Sequence, residues 1–344
     1  MKKTVRVDFT DFWPGFKKTD NFFYNILKKY YRVEITSKPD FLFCSYFSRR
    51  HFRYGDCVKI LYMGENLVPD FNLYDYALGF QHMEFGDRYL RLPHYVLYPE
   101  DVQAALHKHE HDDEYYLSRK KFCNRVVSNP EASGERERMY RALSRLGQVD
   151  SGGRYHNNIG GPVKDKLAFE REYRFTLAYE NSSSPGYVTE KLLQAFAGET
   201  VPIYWGDPLV AREFNPAAFI NCMDYPDIPS VVREVAAVRK DELRYLEMMK
   251  APAVLPGSEA EKCLREDYAD AFLRQIFDRD PAEASRRNLV YVGKNYQRMQ
   301  RQAASFLGVV DVVKKPLHFG SLTLRRSRKD SGAARKPGGT KNKN

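Results

Sequence analysis

Apolar and polar positions alternate with a period of two over Thr4–Asp8, then switch to helical spacing over Asn21–Tyr30. The chain is therefore expected to open with a strand and a helix. Short apolar runs follow at Arg32–Ile35, Asp40–Cys44, Val58–Tyr62 and Tyr76–Phe80. Runs of this length, rich in β-branched and aromatic residues, suit buried strands of an α/β sheet. Between Pro99 and Lys121 the chain turns polar and charged, which reads as a partly helical surface connection between two domains. A second strand-helix pattern starts beyond it, with a strand expected at Val126–Ser128 and a helix at Glu135–Leu146. A strand at Phe175–Glu180, a helix over Thr189–Ala197 stopped by Gly198, and a strand at Pro202–Trp205 complete the pattern. Further helices are expected at Ser230–Met249, Ser258–Phe277 and Leu289–Phe306. The alternation in both halves predicts an α/β protein of two parallel-sheet domains with a cleft between them. Their expected bounds are 1–118 and 119–290, followed by a C-terminal helix over 291–313 and a basic tail over 314–344.

A length of 344 residues gives room for two cores, and 14% aromatic content excludes wholesale disorder. No apolar run approaches the ~18 residues of a membrane span. Met1, Lys2 and Lys3 lead directly into the first alternating stretch, so a signal peptide is not expected and a cytoplasmic placement is. Five scattered cysteines, with no Cys-x-x-Cys spacing, fit free thiols better than disulfides or a zinc site. The net charge of +10 suggests a nucleic-acid partner until it is located. Residues 314–344 hold ten Lys/Arg against one acid, Asp330, and so carry nine of those charges. The body of the protein is nearly neutral, and no nucleic acid is expected as a partner. The tail sets Leu317, Phe319, Leu322 and Leu324 before Arg325, Arg326, Arg328 and Lys329. That order suits peripheral attachment to an anionic inner membrane face, with a free solubilising tail as the competing reading.

The chemistry concentrates in Phe175–Leu192. The expected strand ends at Glu180 and Asn181, a loop runs through Ser182–Gly186, and a helix opens at Thr189–Lys191. Ligands of open α/β sheets bind beyond the carboxyl ends of strands, and a helix N-terminus favours phosphate. Lys191 stands in the first helical turn, where a cation is unfavourable unless an anion sits beside it. The segment therefore reads as a site for a phosphorylated ligand, with Glu190 and Asn181 free to bind hydroxyls. A capped helix with solvated charges is the alternative. Two other clusters carry less. His107, His109 and His111 alternate in a way that suits neither one helix face nor a tetrahedral metal. Asp278-Arg-Asp280 has the form of a metal-binding Asp-x-Asp but follows a charged helix instead of a strand.

The run Tyr179-Glu-Asn-Ser, continuing through Gly186-Tyr-Val-Thr-Glu-Lys-Leu192 to Val201-Pro-Ile-Tyr-Trp-Gly206, resembles the signature of the α-1,3/α-1,4-fucosyltransferase family. Tyr62-Met-Gly-Glu-Asn66, with Phe71–Phe80 and Asp87–Pro93, resembles the N-terminal domain of its bacterial members. Val126–Pro130 with Arg136 and Tyr140 resembles the opening of their donor domain. The resemblance implies a GT-B fold, two Rossmann-like domains facing across a cleft, and inverting transfer of L-fucose from GDP-fucose to an N-acetylglucosamine-containing glycan such as N-acetyllactosamine, with lipopolysaccharide among the carriers of such a glycan. It implies Glu65 as general base, with a turn-capping carboxylate as the alternative, and Arg136 and Lys191 as ligands of the diphosphate. Arg138 is the nearby competitor of Arg136. Asn181, Tyr187 and Glu190 match donor-contacting positions, although Tyr187 could be a packed aromatic. Glu190 is also a candidate for stabilising charge at the anomeric carbon. Gly152 and Gly153 could admit the nucleotide close to the backbone or form an ordinary turn. Because cations already serve the phosphates, no obligatory metal or other cofactor is expected. The rival readings are a transferase for another sugar nucleotide and a non-catalytic protein that binds nucleic acid or lipid.

Overall fold

The first strand, β1 (Thr4–Thr10), runs into a turn and then into helix α1 (Phe22–Tyr30). Asn21 starts α1 by accepting a hydrogen bond from the Tyr24 N–H, and Lys28 and Lys29 lie in its last turn, where cations are favoured. β2 (Arg32–Ile35), β3 (Phe41–Cys44), β4 (Val58–Tyr62), β5 (Tyr76–Gly79) and β6 (Tyr89–Arg91) follow. They form a six-stranded, all-parallel sheet in the order β2-β1-β3-β4-β5-β6. Every residue of β3, β4 and β5 is buried, as expected when both faces of a parallel sheet are covered. The computed structural model describes residues 2–307 apart from positions 56 and 131.

The connection contains α2 (Pro99–Leu106) and α3 (Asp113–Leu117), and it is less of a surface linker than its polarity suggests. Val102, Ala105 and Tyr116 are buried, and Lys108 threads inward to the carbonyls of Met248 and Met249. The second sheet then begins with β7 (Lys121–Arg125), five residues earlier than the strand expected at Val126–Ser128. The displacement has a physical cause: Asn124 and Arg125 are polar but buried, bonded to Thr176 and to Glu137, so the apolar pattern misplaces the strand. Residues 126–128 are instead the loop leaving its carboxyl end.

α4 (Gly134–Leu146), β8 (Val149–Ser151), α5 (Lys166–Glu170), β9 (Tyr173–Tyr179), α6 (Glu190–Ala197), β10 (Val201–Trp205) and β11 (Ile220–Asn221) complete this half. Its five strands are also parallel, ordered β11-β10-β9-β7-β8. The long helix expected at Ser230–Met249 is two, α7 (Ile228–Lys240) and α8 (Glu242–Lys250). Asp241 is extended and caps α8 through the Arg244 N–H, a role Asp fills better than a helix interior. The helix expected at Ser258–Phe277 is likewise split into α9 (Glu259–Leu264) and α10 (Tyr268–Phe277), with Arg265 extended between them.

α10 and α11 (Pro281–Ala284) return to the first sheet. Phe277 packs 4.4 Å from Phe41, the Tyr31 hydroxyl donates to Asp278, and Arg287 pairs with buried Asp75 at 2.8 Å. These contacts belong to the unit Met1–Arg287. In the second unit, residues 291–307 are helical, and the expected tail over 314–344 lies outside the described residues. No helix among the described residues is long and apolar enough to cross a membrane. All five cysteines are free and buried.

Candidate active site

The loops leaving the carboxyl ends of β1, β3, β4, β7 and β9 converge on one cleft of about 510 Å³. Contacts across it tie the two halves together. Asn66 donates to the Ser182 hydroxyl at 2.8 Å, and the Tyr187 hydroxyl donates to Glu65 Oε2 at 2.9 Å. Gly186 makes this approach possible. Its φ is +82°, and a Cβ there would stand 2.6 Å from the Phe80 carbonyl oxygen. The loop can thus lie against the end of β5 and present Tyr187 to the first domain.

On that first wall, Glu65 sits three residues beyond β4. Tyr187 is buried with its ring 4.9 Å from Phe80, so the packed-aromatic reading and the polar one are both realised in a single side chain. Burial, with the negative charges of Glu180 and Glu65, raises its phenol above the ordinary range. It therefore stays protonated and acts as the donor toward Glu65. Tyr46, also lining the cleft, is raised by burial and then by the charge of Glu65.

The opposite wall carries the cations. Arg136 lies in the first turn of α4 and is 3% exposed. Its Nη2 donates to the Asn129 carbonyl at 2.8 Å and its Nη1 to Asn181 Oδ1 at 3.3 Å, while Nε has no partner. No carboxylate pairs with it among the described residues. Burial draws its pKa down, which means that the charge is held there against a desolvation penalty. Arg138, two residues on, is mostly exposed and pairs with Glu135 at the surface. Asn181 thus serves as a brace for Arg136 in this structure, and its backbone carbonyl also accepts from Ser133.

Lys191 differs from the sequence expectation. Its Nζ lies 3.1 Å from Glu180, 3.3 Å from Glu190 and 2.8 Å from the Thr189 hydroxyl. The anions that justify a cation in this helical turn are the protein's own carboxylates, so the inference from its placement to a bound phosphate does not hold. Burial would lower the Lys191 pKa, but Glu180 and Glu190 outweigh it and raise it. Burial would raise Glu190, yet Lys191 and then His94 pull it well below the usual carboxylate range. His94 stands 3.7 Å from Glu190, with Tyr62 and Tyr98 on its two ring nitrogens, and burial lowers its pKa against the pull of Glu190.

Gly152 and Gly153 do not line the cleft. A Cβ on Gly153 would fall 1.9 Å from the Val127 carbonyl oxygen, and one on Gly152 would meet Phe169 and Val163 at 2.9 Å. The close backbone approach foreseen there is to the protein itself. It supports the loop 126–129, which does line the cleft. Among the lining residues that had no signal in the sequence are His94 and Glu170, the latter fully buried, with neither carboxylate oxygen accepting a hydrogen bond among the described residues and Lys166 at 3.7 Å. Burial pushes the Glu170 carboxyl up to about 7.

Among the described residues one group has metal-ligand character: His82, Asp207 and Glu213, with ligand atoms within 4.8 Å of each other. It lies outside the cleft lining, and Glu213 is already engaged by Arg91 at 2.5 Å and by the Tyr95 hydroxyl. Asp278, in the Asp-x-Asp sequence, bonds to Tyr31 and is likewise remote from the cleft lining.

Two all-parallel sheets turned toward a shared cleft, with a carboxylate on one wall and buried cations on the other, have the two-domain architecture of the GT-B fold. The family models agree half by half. Residues 7–98 match the alpha-(1,3)-fucosyltransferase FucT N-terminal domain, and residues 116–251 match the glycosyltransferase family 10 (fucosyltransferase) C-terminal region. The chain belongs to this fucosyltransferase family. It is 32% identical over 262 residues to the alpha-(1,3)-fucosyltransferase FucT of Helicobacter pylori, covering 66% of this chain and 55% of that one. It is 31% identical over 182 residues to a 3-galactosyl-N-acetylglucosaminide 4-alpha-L-fucosyltransferase of Homo sapiens, 48% of each chain. The chain therefore spans about half the length of these curated relatives. A solved alpha1,3-fucosyltransferase superposes with a TM-score of 0.73 at 26% identity, over 85% of this chain and 94% of that one. A solved alpha1,3-fucosyltransferase with GDP-fucose gives 0.66 at 27% identity, over 81% and 92%.

Proposed function

We propose that this protein is an inverting α-1,3-fucosyltransferase, moving L-fucose from GDP-fucose to a hydroxyl of an N-acetylglucosamine-containing glycan such as N-acetyllactosamine. One observation carries the reading: Glu65 and the carboxylate-free, buried Arg136 line the same cleft from opposite sheets. The identity to a fucosyltransferase with GDP-fucose supports the choice of donor.

In the proposed reaction the acceptor oxygen attacks the anomeric carbon as the bond from that carbon to the diphosphate oxygen breaks. Glu65 takes the acceptor proton in the same step, since a carboxylate is far too weak a base to form a free alkoxide. Tyr187, donating to Oε2, fixes the carboxylate. Negative charge grows on the departing GDP. Arg136 meets it with a guanidinium that has no competing carboxylate, and Lys191 contributes by turning from Glu180 and Glu190 toward phosphate. Glu190, kept ionised, is suited to ribose or fucose hydroxyls and to positive charge at the anomeric carbon. With the leaving group served by side-chain cations, the reaction is proposed to need no metal.

The test is incubation of the protein with GDP-fucose and N-acetyllactosamine, with and without EDTA, followed by mass and linkage analysis of the glycan. The expected product has gained one deoxyhexose in α-1,3 linkage, at equal rates in both conditions. Transfer from another sugar nucleotide but not from GDP-fucose would overturn the donor assignment, and GDP binding with no transfer to any glycan would favour a non-catalytic role. Attachment of the 314–344 segment to the inner face of the cytoplasmic membrane is a separate proposal. Sedimentation with anionic liposomes should be lost when that segment is removed.

A further inference from the structure

Beside the cleft, the carboxyl edge of the first sheet opens into a second cavity of about 1140 Å³, more than twice the volume of the cleft. It lies among the loops leaving β1 and β3 and the loop that enters β3. Trp13 and Phe47 line both spaces, with ring centroids 6.3 Å apart, so they form the partition between them.

This partition is built rigidly. Asp11 holds φ at +62°, unusual for a residue with a Cβ. Its buried carboxylate explains how: it accepts from the Ser48 hydroxyl, the Arg50 N–H at 2.8 Å, the His51 N–H at 3.0 Å and the His51 ring at 2.6 Å. These bonds clamp the loop after β1 to the loop after β3. Phe12 then stacks on Phe16 at 4.1 Å, and Trp13 meets Phe16 edge-on at 5.1 Å. The result is an aromatic wall fixed without any ligand.

The charges around the cavity sort into two kinds. Arg6 is neutralised by Asp40, and Lys18 by Asp8. Lys38, Arg50 and Arg53 also line the cavity, and none has a side-chain partner among the described residues. With Asp11 consumed by the loop clamp, three positive charges on the rim have no counter-charge among the described residues and stand over an aromatic wall.

Resting on the fucosyltransferase reading, we propose that this cavity is an acceptor subsite for the anionic part of an oligosaccharide. The reacting sugar lies in the cleft by Glu65, the following rings pass over Trp13 and Phe47, and a phosphate or carboxylate substituent meets Lys38, Arg50 and Arg53. Sugar faces suit flat aromatic surfaces, and guanidinium groups suit phosphate and carboxylate through paired N–H donors. A neutral disaccharide would fill the cleft and leave this cavity unused.

The experiment compares three acceptors on the full chain: N-acetyllactosamine, the same disaccharide extended by a phosphorylated sugar, and one extended by a carboxylated sugar. Each is measured for KM in transfer and, separately, for direct binding by titration calorimetry with GDP present. At low salt at least one anionic acceptor is expected to bind about tenfold more tightly than the neutral one, and high salt should erase the difference. The arm that shows the gain identifies the group recognised. A combined Lys38→Ala, Arg50→Ala, Arg53→Ala variant should lose that gain while keeping wild-type turnover on N-acetyllactosamine, the same KM for GDP-fucose and the same Tm. Equal affinity for all three acceptors, or an anionic preference that survives in the variant, overturns the proposal. Because binding is read without transfer, failure of the fucosyltransferase reading and failure of the subsite are told apart.

Discussion

The N-termini of α4 and α6 enter the same cleft, each bearing a cation in its first turn, yet their electrostatic states are opposite. Among the described residues, Arg136 on α4 has only neutral partners, a carbonyl and an amide, and keeps a buried nitrogen unpaired. Lys191 on α6 is wedged between two carboxylates. A buried unpaired charge costs stability, whereas breaking a buried pair by removing one member is strongly destabilising. The same residue chemistry therefore does different work in the two places. Arg136 presents its charge to an incoming anion, and Lys191 is part of the scaffold that has to exchange partners before it can hold one.

Arg136→Ala should give the largest functional loss, on the order of 100-fold or more in transfer and a comparable loss in GDP affinity. Tm should be unchanged or slightly raised, because an uncompensated buried charge has gone; a clear drop in Tm would erase the contrast. Lys191→Ala should do the reverse in proportion. Stability should fall by about 3 kcal/mol, since Glu180 and Glu190 are left buried without their cation, and GDP affinity should drop only about tenfold. Differential scanning calorimetry and titration of GDP into both variants read these effects directly.

Glu170 extends the comparison to a fully buried carboxylate with Lys166 at 3.7 Å. Its folded pKa of about 7 lies above that of the unfolded chain. The folded form therefore keeps its proton through a window where the unfolded chain has lost it, and stability falls as pH rises from about 4.5 to 7. Glu170→Gln should leave Tm nearly unchanged at pH 4 and raise stability by on the order of 2–3 kcal/mol at pH 8. A gain that is the same at both pH values would contradict the assignment. The smallest effect is expected from Tyr187→Phe, which keeps the packed ring and removes one hydrogen bond to Glu65. It should lower kcat by about tenfold or less, in line with about 1 kcal/mol for such a bond, with KM for GDP-fucose unchanged.

The sequence made the frame of this cleft readable because its strands are buried on both faces. β3, β4 and β5 appear as unbroken apolar runs, and β9 followed by α6 shows the period change from strand to helix. Where polar residues are buried by pairing, the signal disappears: β7 is hidden by Asn124 and Arg125, and β8 and β11 are three and two residues long. Asp241 shows the same limit from another side, since helical periodicity runs through it while its capping bond breaks the helix. At the site, Glu65, Arg136, Asn181, Tyr187, Glu190 and Lys191 stand at strand ends and helix starts, where position in the chain speaks for position in space. His94 and Glu170 have no such mark. Their burial is created by residues distant in sequence, Glu190 beside the first and Gly198 against the second. The electrostatic reading of Lys191 failed for a similar reason, because Glu180 is brought beside it only by the folding of the loop between β9 and α6.

The central claim is that Glu65 removes the acceptor proton in a cleft whose other wall holds the nucleotide. It is tested most directly by measuring Glu65→Gln for transfer to N-acetyllactosamine and for GDP affinity in parallel. The account predicts turnover lowered by about 100-fold or more, with GDP affinity within about twofold of wild type. Wild-type turnover in this variant would contradict it.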